Sequence, residues 1–157
     1  MSEGDRGAAR RLAGRAHEVV RVSGREPLRE ALERLTGGRL GRPRGRPVVP
    51  QLDSPWQDSV SPERARWRQR AANLDGEEVF AVDYRVCLRC GLGWVEQPYT
   101  GPRFQRCGLA AAGLAALRAE CSGLSWHTLG GRFRDSMAFW AAVGAGVPGG
   151  YRQRATW

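Results

Sequence analysis

The chemically richest stretch is QRCGLA, Gln105 to Ala110, which follows a strand-like segment ending at Tyr99-Thr100 and runs into the helix-like GLAAAGLAALRAE. A helix N-terminus presents unpaired backbone N–H groups and the positive end of the helix dipole, and both favour a bound phosphate. Gly108 has no Cβ to hold a ligand off the backbone, and Ala110 keeps the first helical turn small. Acid–base chemistry has three candidates. Glu96 lies on the strand before this loop, His127 on the segment LSWHTL, and Tyr151 after a Pro-Gly-Gly turn. A carboxylate or a neutral imidazole can take a proton from an amine, and a phenol can return one to a leaving group. Each also has a plain reading, as an edge-strand carboxylate, a packed strand histidine and a packing tyrosine.

Cys87 and Cys90 form C-x-x-C followed by Gly91, a spacing that suits a zinc knuckle. One knuckle supplies two of four tetrahedral ligands. Cys107, Cys121, His17 and His127 do not complete an evident set, so no metal site is assigned. A redox dithiol and a simple hairpin turn are the other readings. PRGRP, Pro43 to Pro47, resembles the core of an AT-hook, in which flat, extended Arg-Gly-Arg lies in a narrow minor groove. The competing reading is a solvated linker rich in Arg, Gly and Pro.

The elements that must position these residues can be read from periodicity. Residues 1–22 make a ragged helix with a thin apolar stripe, and Leu28, Leu32 and Leu35 mark a better one over EPLREALERLTGG. The Pro-rich stretch 39–62 reads as a linker, and SPERARWRQRAANL as a short helix capped by Ser61. From Glu77 the pattern changes to strands. EVFAVDYRV alternates Phe80, Val82, Tyr84 and Val86 on one side, CLRCG turns, and LGWVEQPYT returns as the second arm of a hairpin. Next comes a helix with Leu109, Gly113, Leu114 and Leu117 on one face, then the LSWHTL strand. After that strand come a helix over MAFWAAVG, capped by Asp135 or Ser136, and a short final strand in VPGGYRQR. The expected organisation is an Arg-rich arm over 1–50, a linker and short helix over 51–76, and an α/β (α+β) domain over 77–157.

The chain has 157 residues and a net charge of +9, and all 25 of its basic residues are Arg. With no Lys and no Ile, much of this basicity is what GC-rich codons produce, which weakens it as a sign of nucleic-acid binding. No apolar leader opens the sequence, and the apolar run Leu109–Leu117 is far shorter than the roughly 20 residues that span a bilayer. The expectation is a cytoplasmic protein without a membrane partner, its cysteines reduced or metal-bound.

Gln105, Arg106, Cys107, Gly108, Leu109 and Ala110 fill the Q/R-x-x-G-x-G/A pattern of GNAT acetyltransferases, with Pro102 where that family often has a proline. SMAFWAAVGA is similar to the family's A-x-x-F-Y-x-x-x-G-F helix, and the resemblance covers about residues 77–154. It implies a GNAT-like mixed sheet, truncated or divergent in its N-terminal half. It also implies acetyl-CoA as cofactor, its pyrophosphate on the backbone of the Gln105–Ala110 loop and its pantetheine arm near Tyr99 and Thr100. The activity implied is acetyl transfer to a small-molecule or peptide amine. Trp140 stands at the family's usual Tyr, and Phe133 where an Asn usually meets the pantetheine. A catalytically weak, CoA-binding module is therefore the first alternative. A nucleic-acid-binding protein using the arm and a zinc knuckle is the second.

Overall fold

The computed structural model describes residues 3–22, 54–130 and 132–155. The helix expected over 26–38 and the Pro43–Pro47 segment lie outside the described residues. The described elements are α1 (Glu3–Gly14), β1 (Val19–Arg21), β2 (Trp56–Val60), β3 (Arg68–Leu74), β4 (Glu77–Cys87), β5 (Leu92–Thr100), α2 (Leu109–Glu120), β6 (Ser125–Thr128), α3 (Met137–Gly144) and β7 (Arg152–Gln153). Short 3-10 turns, Pro102–Phe104 and Arg134–Ser136, precede α2 and α3.

The strands form one mixed seven-stranded sheet in the order β1-β2-β3-β4-β5-β6-β7. β2 to β5 pair antiparallel, while β1–β2, β5–β6 and β6–β7 pair parallel. From β4 onward the expected succession of elements is the observed one. On α2 the buried positions are Leu109, Gly113, Leu114 and Leu117. Gly113 must stay small, because a Cβ there would come within 2.7 Å of Phe80 and 3.1 Å of Trp56. That close approach seats α2 on the sheet, with Trp56, Phe80 and Val82 beneath it in one core cluster.

Expectations N-terminal to Glu77 need correction. Residues 54–76 are neither linker nor helix, because Trp56–Val60 and Arg68–Leu74 are strands inside the sheet. The local cap is present: Ser61 Oγ accepts the N–H groups of Glu63 (3.3 Å) and Arg64 (3.1 Å). The turn stops at Arg66, whose φ is +67°, and the chain then extends. Arg, Gln, Ala and Asn are poor strand formers. Between two antiparallel neighbours, ladder pairing and burial on both faces override that preference. The N-terminal arm is also part of the fold. Ala9, Leu12 and Ala16 are buried, Trp56 donates its indole N–H to the Leu12 carbonyl at 2.8 Å, and β1 extends the sheet.

A polar cluster ties α2 to the sheet's first half. Asp58 accepts from Arg68 (2.5 Å), Arg70 (3.1 Å) and the Tyr84 hydroxyl (2.5 Å), and Arg70 also grips Glu120 of α2 at 2.7 and 2.9 Å. Burial, with Asp58 alongside, raises the Tyr84 phenol well above its ordinary range, so it stays a donor.

Leu12→Ala tests the integration of α1. Truncating a buried leucine costs about 2–5 kcal/mol, so the thermal midpoint should fall by roughly 10 °C. The check is a circular-dichroism melt of mutant against wild type.

Candidate functional site

β5 and β6 lie parallel but pair only from Leu92–Ser125 to Trp94–His127. Beyond Trp94 the strands separate. On its other side β5 continues along β4 to Thr100, with an irregularity where Ala81 faces Tyr99 and Asp83 faces Glu96. β5 carries the extra residue, and Gln97 takes it up with φ +48°. The outer edge of β5 from Val95 to Thr100 is thus left unpaired by β6. A cavity of ≈ 160 Å³ opens in the gap, lined among others by Glu96, Pro98, Thr128, Arg132, Phe133 and Trp140.

The same edge leads to the loop before α2, where Gln105 Nε2 reaches the Thr100 carbonyl at 3.4 Å. Arg106 has φ +61°, and Gly108 is the residue before α2 with φ +86° and no side-chain cap. Among the described residues no backbone carbonyl accepts the N–H groups of Leu109, Ala110 and Ala111 at the start of α2; pairing resumes with Ala112 to Gly108. A Cβ on Gly108 would meet no atom within 4 Å. This is a row of free donors at a helix's positive end, beside open space. It suits an anion such as a phosphate.

The expected site residues divide by position. Glu96 lines the cavity, and its carboxylate accepts the N–H groups of Leu129 and, at 3.0 Å, Gly130. Tyr99 is exposed and Thr100 half-buried, both on the uncovered half of β5. Gln105, Arg106 and Gly108 are exposed, whereas the Cys107 and Leu109 side chains are buried, so those two residues offer only their backbone.

His127 is turned away. Strand alternation puts it on the face opposite Thr128, its Nε2 is 3.0 Å from Ser125 Oγ, and burial lowers its pKa. Tyr151 is fully buried, its hydroxyl accepting from Arg118 at 2.5 Å and its ring packed between Trp126 and Trp140. Burial raises its pKa, and it does not line the cavity. Neither residue lines the cavity with Glu96.

Asp83 and Arg64 were missed. Asp83 is the residue facing Glu96 in the β4–β5 ladder, and Arg64 Nε lies 3.6 Å from Asp83 while its Nη2 lies 3.8 Å from Glu96. The signal for Asp83 was a lone acid inside the apolar run of EVFAVDYRV. Arg64 sits in a turn and carried none.

The cysteine expectation also changes. Cys87 and Cys90 form a disulfide across the hairpin tip, and Cys107 and Cys121 are free. Among the described residues no group of three or more His, Cys, Asp or Glu could hold a metal. Nor is any described helix long and apolar enough to cross a membrane.

No family model, curated protein or solved structure matches the chain.

Burial lifts the Asp83 carboxyl above its ordinary range, Glu63 and Glu96 add to this, and Ser61 and Arg64 oppose it. The folded chain therefore holds a proton that the unfolded chain releases near pH 3.9. The stabilisation is full below that pH and is lost as pH rises through the folded value. Asp83→Asn should therefore be more stable than wild type at pH 7, and the difference should vanish near pH 3–4. Urea midpoints across pH 3–8 read this directly.

Proposed function

We propose that the chain is an acetyl-CoA-dependent N-acetyltransferase with a GNAT-like mixed sheet, acting on an amine. The observation that carries this reading is the unpaired edge of β5, which begins at a bulge and leads to the free N–H groups of Leu109 to Ala111 at the start of α2. A long, amide-bearing thioester with a pyrophosphate matches such a trough along its length. Acetyl-CoA would supply the activated acyl group. The backbone N–H groups of Gln105 to Ala110 would hold its pyrophosphate, and the edge at Tyr99 and Thr100 would face its pantetheine amides.

Glu96 is the base, directly or through water, because its carboxylate alone among the expected acid–base groups lines the cavity. The ammonium gives Glu96 a proton, the amine nitrogen bonds to the acyl carbon, the carbon–sulfur bond breaks, and the nitrogen gives up its second proton to water as the amide forms. The thiolate then needs a proton. Trp140, on the cavity wall, carries an indole N–H that does not ionise at neutral pH, and Tyr151 is buried beneath it. Water is the remaining donor.

That same arrangement favours the second reading, a domain that binds CoA and turns over slowly. The nucleic-acid reading rests on a segment outside the described residues, and no observation favours it.

Calorimetry with acetyl-CoA and with CoA tests the pocket. Gly108→Val should abolish binding in a chain that still folds. The new Cβ meets no protein atom within 4 Å, and the left-handed backbone costs about 1–2 kcal/mol. Unchanged affinity in the folded mutant refutes the phosphate-loop assignment. In a thiol-release assay, Trp140→Tyr should raise turnover while leaving acetyl-CoA affinity within about two-fold. General acid catalysis is worth about 10²–10⁴-fold at most. Wild-type turnover already at ordinary enzyme rates would show that no acid is missing.

A further inference from the structure

The sheet carries a buried cluster of acids and arginines on each face, and the two are built differently. Around Asp58 every charge is met by a direct hydrogen bond of 2.5–3.3 Å, from Arg68, Arg70 and Tyr84, with Glu120 closing the cluster. Alternation along β4 puts Asp83 on the opposite face from Tyr84. There Asp83 and Glu96 stand directly across the ladder from one another. Like charges so placed repel, and burial strengthens the repulsion.

The described cation between them is Arg64, at 3.6 Å from Asp83 and 3.8 Å from Glu96. Both distances are too long for hydrogen bonds. Asp83 Oδ1 is buried and has no partner, on a residue that is 5% exposed. Arg64 instead stacks its guanidinium 5.4 Å from the centre of the Trp67 ring, on the turn that ends at strained Arg66. A guanidinium from the chain's own turn therefore stands between two carboxylates without bonding either, and one of those carboxylates lines the cavity.

We propose that Asp83 and Glu96 form the acceptor site, that it takes a short aliphatic diamine, and that Arg64 occupies it as an internal stand-in until the diamine displaces it. The chemistry of this inference rests on the acetyltransferase reading, and its binding step does not. A diamine suits the pair better than a monoamine. One nitrogen must become neutral to attack, and a monoamine would then lose its only ionic contact. A diamine gives a proton to Glu96 from one end and keeps its other end charged against Asp83. The product is the monoacetylated diamine with one ammonium left. A carboxylate on the acceptor would be repelled by both acids, which excludes amino acids.

The test is calorimetry at low ionic strength on the full chain without any acyl donor. The probe is 1,4-diaminobutane and the control is 4-aminobutanoate, which has the same length with one end reversed in charge. Wild type should bind the diamine and not the control. Arg64→Ala should tighten diamine binding by about ten-fold or more, a change of about 1.4 kcal/mol. Adding Asp83→Asn to Arg64→Ala should remove that gain. Should Arg64→Ala fail to give a cooperative melt, Arg64→Gln, which keeps part of the aliphatic stem, takes its place with the same expectations. Equal binding of diamine and control, no binding of either, or an affinity indifferent to position 64 would overturn the proposal. Acetyl-CoA is absent throughout, so a chain that fails to bind acetyl-CoA but passes here separates the two readings.

Discussion

The site depends on one constraint, that β6 stops pairing with β5 at Trp94. A continuous parallel ladder would satisfy the β5 edge and leave nothing for a ligand to meet. Two features hold the strands apart. The bulge at Gln97 turns β5, and Glu96 reaches across to take the N–H groups of Leu129 and Gly130 in place of a strand partner. At the joined end a Cβ on Gly93 would come within 2.7 Å of the Trp126 ring, so Gly93 lets the strands close there. The pair thus behaves as a wedge with a packed hinge and an open mouth.

The wedge needs a rigid frame, and the buried polar cluster around Asp58 and Arg70 provides one. Arg70 is 1% exposed and joins β3 to β2 through Asp58 and to α2 through Glu120. Such a cluster contributes little net stability over well-packed apolar groups, yet removing one partner strands a buried charge and costs about 3–5 kcal/mol. Its value is register. It fixes where the C-terminal end of α2 lies on the sheet, and therefore where the free N–H groups at its other end point.

From Glu77 onward the fold was legible because period and chemistry agreed. Alternation in EVFAVDYRV, the CLRCG turn and the four-residue recurrence of α2 each allow one structure. Before Glu77 they disagreed. Ser61 caps a turn as its type predicts, but Arg68 to Asn73 extend only because β2 and β4 flank them, and that is not a local property. The turn into α2 was readable from Gly108 and the apolar helix that begins at Leu109. His127 and Tyr151 were misplaced for a common reason. A residue type announces what it can do, whereas strand parity and helix packing decide which way it faces. Asp83 shows the converse, since its partner in the pair lies 13 residues away across a bulge.

The disulfide at the hairpin tip has a consequence for how the molecule meets its surroundings. Cys87 and Leu92 already pair across the ladder, and Cys90 N–H bonds the Cys87 carbonyl at 3.1 Å, so the turn is closed before the sulfurs join. A crosslink spanning so few residues removes little freedom from the unfolded chain. Its other property is exposure: Leu88, Arg89 and Cys90 face solvent at the end of the molecule, and the Cys90 N–H also points at the Cys87 sulfur at 3.2 Å. A reductant that supplies two electrons and two protons can therefore reach the tip and open it to a dithiol, and the Cys87–Leu92 ladder pair and the Cys90–Cys87 backbone bond do not depend on the sulfurs.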